Sequence, residues 1–100
     1  MADPTDARVR RDGDALAFAG ALDRAAVTGL WPQALAASAG AQRIVLTEVT
    51  IVDSAGLAML AELAPRLRAA GGPVALEGEP PGLPDLRAAY RLTPGLDYPA

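Results

Sequence analysis

The stretch RIVLTEVTIVDSAGL, Arg43–Leu57, contains the strand-to-helix transition that decides the fold. Its first part, Arg43–Val49, is a β-branched apolar run as long as a buried strand, and Thr47–Val52 continues it as an extended segment or a loop. The longest predicted helix follows over roughly residues 54–70. Gly71-Gly72 closes this helix, because glycine adopts the left-handed conformation that is common at helix ends. A strand that leads directly into a helix is typical of an α/β domain.

Two short strands near the start of the chain predict an antiparallel hairpin. Val9–Arg11 and Ala15–Gly20 flank Asp12-Gly13-Asp14, and Gly13 accepts the positive φ that a tight turn requires. The arginines of the first strand suit an edge position, because exposed charge discourages pairing with another chain.

Proline interrupts both long helical patterns. Asp23 is the predicted N-cap of the first helix, and Gly40 ends that segment. Because proline lacks an N–H and crowds the preceding turn, Pro32 should kink this helix or divide it in two, with the second part starting near Trp31. Pro65 should bend the second helix for the same reason.

The end of the chain completes the predicted order of elements. Val74–Glu77 is a short strand, Pro84 suits the first position of a final helix, and an irregular tail begins at Leu92. The order ββ-α-β-α-β-α predicts an α/β fold: a mixed β-sheet of about four strands, opened by an antiparallel hairpin, with helices packed mainly on one side. We expect residues 1–100 to form a single domain, with 1–7 as a flexible leader.

The composition excludes several classes of function. The chain has 100 residues, a formal charge of −3 and no cysteine or histidine, and all 9 of its positive charges are arginines. Without cysteine and histidine the chain cannot form a disulfide, a Cys/His metal site or a catalytic dyad or triad that needs an imidazole. Without lysine it cannot have the phosphate-binding lysine of a P-loop. Its acidity argues against nucleic acid as a partner, and no apolar run reaches the ~20 residues of a membrane-spanning helix. We expect no cofactor and no direct membrane insertion.

Asp53 and Ser54 stand where the central strand gives way to the long helix. In the simpler interpretation, one of them caps the helix by accepting a hydrogen bond from its first free N–H groups. In the functional interpretation, Ser54 carries or approaches a phosphate at the positive end of the helix. Gly56, in the first turn, lets another backbone approach closely. A hydrolase with Ser54 as nucleophile is excluded, because the chain has no histidine or lysine to act as its base.

The segment Ile51–Leu57 resembles the D-[ST]-x-G-[LI] signature of STAS domains, a family of bacterial anti-sigma-factor antagonists and transporter-associated domains. Ala55 stands where many members have serine or glycine, and it keeps the side chain small. Further blocks are similar to the MlaB-like branch of the family: Gly13–Ala17, Gly20–Asp23, Leu30-Trp31, Val52–Ala58 and Leu92–Pro99.

The resemblance implies a protein that is not an enzyme and that binds a nucleotide-handling partner. In the MlaB-like branch this partner is the MlaF-like cytoplasmic ATPase of a phospholipid-transport ABC complex, which the STAS subunit stabilises or activates. This role implies a cytoplasmic protein, held at the inner membrane through its partner. The alternative is an anti-sigma-factor antagonist that a serine kinase switches by phosphorylating Ser54, the hydroxyl position of the signature.

We expect the partner to bind where the long helix begins. The predicted core stripe of this helix is Leu57, Leu60, Ala61, Ala64 and Leu67. Helical periodicity then places Met59 in solvent and Leu63 on the flank between, so that both extend a small apolar patch around Ser54. Trp31 is either a residue at the rim of the core or a partner anchor. The expected partner-binding residues are Trp31, Asp53, Ser54, Ala55, Gly56, Met59 and Leu63, with Ser54 as the possible phospho-acceptor.

Overall fold

The computed structural model describes residues 7–92. Its elements are β1 (Arg8–Asp12), β2 (Ala15–Leu22), α1 (Arg24–Ala37), β3 (Arg43–Val52), α2 (Ser54–Gly71), β4 (Ala75–Glu77) and α3 (Leu83–Ala89). The strands form one sheet in the order β1-β2-β3-β4, in which only β1 and β2 are antiparallel. The mixed sheet and its opening hairpin are thus confirmed. Most of the predicted leader, residues 1–6, and the tail beyond Leu92 lie outside the described residues.

The helices pack on one face of the sheet because of the two crossover connections. The units β2-α1-β3 and β3-α2-β4 both step to the next parallel strand in the same direction. Right-handed crossovers then place both helices on the same side. The side chains buried between sheet and helices include Leu16, Phe18, Leu22, Ile44, Leu46, Leu60 and Leu63. This predicted layer arrangement is confirmed.

Two element boundaries differ from the sequence prediction. The strand β3 continues without a break to Val52, so the possible loop after Thr47 does not form. Helix α1 passes through Pro32 as a single helix, and the predicted division near Trp31 is wrong. Pro32 and Pro65 both lie on exposed positions of their helices, where water can bind the carbonyl oxygen that each proline leaves without an N–H donor.

The hairpin turn and the edge strand position the first helix. Gly13 has φ of 61°, as predicted for a tight turn. From the edge strand β1, the guanidinium of Arg11 donates to the carbonyl oxygens of Ala37 (2.9 Å) and Ala39 (2.5 Å). A cation at this position also complements the negative end of the helix dipole. Arg11 therefore holds the C-terminal end of α1 in addition to placing a positive charge on the edge strand.

Candidate functional site

Asp53 connects the N-termini of the two long helices. Its Oδ1 accepts a hydrogen bond from the backbone N–H of Gly56 (2.9 Å), and its Oδ2 accepts one from the backbone N–H of Arg24 (3.0 Å). Both helices begin at the carboxyl ends of the parallel strands β2 and β3, so their first turns meet at one edge of the sheet. Asp53, not Ser54, is therefore the cap of α2.

Ser54 is left free by this arrangement. It is the first residue of α2 and is exposed, and its hydroxyl forms no hydrogen bond with another described residue. The neighbouring Ala55 is half-buried. The hydroxyl of Ser54 is therefore available to a partner at the positive end of the helix.

Gly56 lies against the end of β2. A β-carbon at this position would overlap the carbonyl oxygen of Leu22, which already accepts a hydrogen bond from the N–H of Asp53 (3.2 Å). The close backbone approach predicted for Gly56 is confirmed. Because Gly56 is buried, it lies beneath the surface around Ser54 instead of forming part of it.

Met59 and Leu63 are buried, so the prediction that Met59 faces solvent is wrong, and so is the apolar surface patch predicted for both. Met59 is 3% exposed and Leu63 is 0% exposed, so they form no surface patch with Ser54 and Gly56. The cause is that α1 packs beside α2 and covers the flank that Met59 and Leu63 share. The predicted core stripe includes Ala61, which is only half-buried. Including Ala61 places the centre of the stripe on the side of α2 that faces away from α1.

Trp31 packs on that same flank of α2. Its ring lies under the guanidinium of Arg66, 5.5 Å from ring centroid to Cζ, in cation–π geometry. Arg66 follows Ser54 by more than three helical turns, about 18 Å along the axis. Trp31 is half-buried and packs against the core, and its ring stacks well beyond the first turn of α2.

A groove beside Ser54 was missed by the sequence analysis. Its volume is about 160 Å³, and it is lined by Ser54, Leu57, Ala58, Ala61, Tyr90 and Leu92. Tyr90, which follows α3, is 47% exposed at this groove. The available signal was the absence of large side chains at Ala58 and Ala61, one turn apart on the helix that Ser54 begins.

Several other charged side chains form ion pairs elsewhere in the described part of the chain. Arg43 donates to Asp14 (2.9 Å) and to Glu77 (2.7 Å), and the hydrogen bond with Glu77, followed by that with Asp14, raises the pKa of the guanidinium. Glu79 pairs with Arg87 on α3. Within residues 7–92 no acidic cluster could hold a metal ion, and none of the helices there is long and apolar enough to cross a membrane.

Replacing Asp53 by alanine should destabilise the domain more than removal of an ordinary cap. Two N–H groups on different helices lose their acceptor, so we expect a loss of about 2 kcal/mol in the free energy of unfolding, measured by urea denaturation. Asp23→Ala is the matched control, because Asp23 caps only α1, through the N–H of Ala26, and should cost about 1 kcal/mol. Equal losses in the two variants would contradict the bridging role.

The sequence is similar to a known protein family over most of its length. A family model described as "Mlab, STAS domain" matches residues 7–96, a span that contains every described strand and helix and the whole surface around Ser54. No curated protein matches the chain.

Proposed function

The chain belongs to the STAS family, and we propose that it is a non-catalytic subunit that binds the cytoplasmic ATPase of an MlaFEDB-like phospholipid-transport ABC complex and stabilises or activates it. The observation that carries this proposal is the free hydroxyl of Ser54, exposed at the start of a helix whose capping is done by Asp53. A hydroxyl that is not needed by its own fold is suited to contact with a partner.

The surface around Ser54 has the features of a docking site for a protein. Asp53 holds the first turns of α1 and α2 together, so the site is rigid before the partner arrives, which lowers the entropic cost of binding. The groove between Ser54 and Tyr90 can accept one protruding side chain of the partner. Exposed tyrosine is enriched at the points of protein interfaces that contribute most to affinity.

The chemistry of the site supports a binding role over catalysis. A serine nucleophile needs a base that removes its proton, and the sequence contains no histidine or lysine. The adjacent carboxylate of Asp53 already accepts hydrogen bonds from Gly56 and Arg24. A subunit of this kind changes its partner by binding one conformation of the ATPase more tightly than the others, and so raises the population of that conformation.

Ser54→Arg should abolish binding to the ATPase while the domain stays folded. The large side chain fills the first turn and the groove, whereas the capping hydrogen bonds of Asp53 remain; we expect the dissociation constant to rise at least about 100-fold. Titration calorimetry with the purified ATPase measures binding, and circular dichroism checks the fold. Ala69→Arg is the matched control, since Ala69 is exposed near the opposite end of α2 and should bind normally.

Further variants keep this test decisive. If Ser54→Arg fails to fold, Ala58→Arg places the same bulk at the exposed side of the groove. Trp31→Ala tests the second expected anchor and should weaken the complex without unfolding the domain. Normal ATPase binding by folded Ser54→Arg would overturn the proposal.

The exposed hydroxyl of Ser54 also favours a second candidate, an anti-sigma-factor antagonist switched by a serine kinase. Phosphate on Ser54 would add charge at the contact surface and release the partner. Affinity purification from the native host, followed by mass spectrometry of the Ser54 peptide, separates the two. An ABC ATPase with unmodified Ser54 supports the transport role; a serine kinase with phosphorylated Ser54 supports the switch instead.

A further inference from the structure

The groove beside Ser54 is open on its outer side within the described residues. Its volume is about 160 Å³, and apart from the hydroxyl of Ser54 its walls are apolar or aromatic. Ala58 and Tyr90 are both exposed there. An apolar cavity of about 150 Å³ can hold a benzene molecule, so the groove has room for one apolar side chain. No side chain of residues 7–92 fills it.

The chain reaches this groove through the turn that ends α3. The N–H of Leu92 donates to the carbonyl oxygen of Arg87 (2.9 Å), and the N–H of Arg91 donates to that of Ala88 (3.1 Å). These two bonds, with φ of 55° at Arg91, form a Schellman motif. The motif turns the chain out of the helix, and Leu92 lines the groove as the last described residue.

The left-handed conformation of Arg91 shows that contacts around this turn hold it in place. A residue with a β-carbon adopts positive φ only at an energetic cost, and glycine is the usual residue at this position of the motif. Leu92 packs against the main hydrophobic core, and this packing offsets the cost. The point from which the chain continues to residue 93 is therefore fixed at the groove.

The next four residues, Thr93-Pro94-Gly95-Leu96, have the sequence of a type II turn. Proline is favoured at the second position of this turn, and glycine supplies the positive φ that the third position requires. A β-turn keeps its first and fourth Cα atoms within about 7 Å of each other. The sequence therefore predicts that Leu96, the first large apolar residue after Leu92, stays close to the groove. The family match also extends to residue 96, so it includes this leucine.

We propose that Leu96 occupies the groove in the free chain and competes there with the partner. The competition rests on the proposed function, in which the ATPase inserts a side chain between Ser54 and Tyr90. The apolar side chain of Leu96 suits the walls that Leu57 and Ala61 form. The partner then binds only the fraction of molecules in which Leu96 has left the groove, and its apparent affinity is reduced by that fraction. The chain thus carries an autoinhibitory contact at its own docking site.

NMR spectroscopy of the free chain tests the contact without any partner. We expect nuclear Overhauser effects between the methyl groups of Leu96 and those of Ala58 and Ala61. Leu96→Asp should remove the contact and shift the resonances of Tyr90, because an unpaired charge is unfavourable in an apolar groove. Ala100→Asp is the matched control, since it adds the same charge to the same segment and leaves Leu96 in place.

Titration calorimetry with the purified ATPase tests the competition. Leu96→Asp should bind at least about fivefold more tightly than the unchanged chain, because the groove no longer has to be vacated before the partner enters. Ala100→Asp should bind as the unchanged chain does. Leu96→Ala, which only shortens the side chain, should change the affinity in the same direction, and it replaces Leu96→Asp if that variant does not fold.

The two experiments separate this proposal from the proposed function. Missing Overhauser effects from Leu96, or effects from Tyr98 in its place, would overturn the contact. Equal or weaker ATPase binding by folded Leu96→Asp would overturn the competition. If the Leu96 contact is observed but neither the unchanged chain nor any folded variant binds the ATPase, the proposed function fails and the contact stands.

Discussion

Gly56→Ala is expected to lower the free energy of unfolding by about 3 kcal/mol or more, one of the largest effects of any single methyl group in this domain. The added β-carbon overlaps the carbonyl oxygen of Leu22. That oxygen belongs to the backbone of a buried strand and cannot rotate away like the end of a side chain. The overlap can be relieved only by separating the first turn of α2 from β2, which would strain the hydrogen bond between the N–H of Asp53 and Leu22.

Gly29→Ala is the matched control for Gly56→Ala. Gly29 is also a helical glycine, but a β-carbon there meets nothing within 4 Å. Alanine at position 29 should stabilise the domain by up to about 1 kcal/mol, because glycine is the poorer helix former. Urea denaturation followed by circular dichroism compares the two variants. Similar stabilities would show that the first turn of α2 does not lie tightly against β2.

Met59→Ala should destabilise the domain by about 2–5 kcal/mol, the usual range for truncation of a buried methionine or leucine. Met59 is 3% exposed and belongs to the main hydrophobic core, so the change leaves a cavity between α2 and its surroundings. Thermal and urea unfolding measure the loss. An exposed Met59 that only contacted a partner would give a variant of normal stability with weakened binding.

Two substitutions calibrate the Met59 result. Met59→Leu keeps most of the volume and should cost less than about 1.5 kcal/mol. Leu35→Ala removes a large apolar side chain that is 39% exposed on α1, and it should cost well under the amount for a buried position. Equal losses from Met59→Ala and Leu35→Ala would place Met59 at the surface after all.

Local sequence signals predicted the elements of the fold well. Gly13 predicted the hairpin because few other residues adopt its positive φ. Asp23 predicted the start of α1 because its carboxylate accepts from a backbone N–H three residues later. The glycine pair predicted the end of α2, where Gly72 is the C-cap with φ of 93°. Each of these signals depends on neighbours within a few residues.

The arrangement of the site could not be read in the same way. Periodicity shows that α2 has an apolar side, but the width of that side depends on α1, which packs next to it and buries Met59 and Leu63. The choice between Asp53 and Ser54 as cap was open, because both have a suitable oxygen near the helix start. Only the position of Arg24, on another helix, shows why Asp53 takes this role with both of its oxygens.

The sequence by itself therefore determined the order of elements, the α/β class and the STAS signature at Asp53-Ser54, because turns, caps and strand patterns depend on short-range chemistry. The tertiary structure alone decided that Met59 is buried, that Tyr90 lies beside Ser54, and that Arg8 and Glu48 flank Ala19 of β2. These facts depend on which distant segments pack together. Such packing is determined by the burial of apolar surface across the whole core, and no single stretch of sequence shows how that surface will be buried.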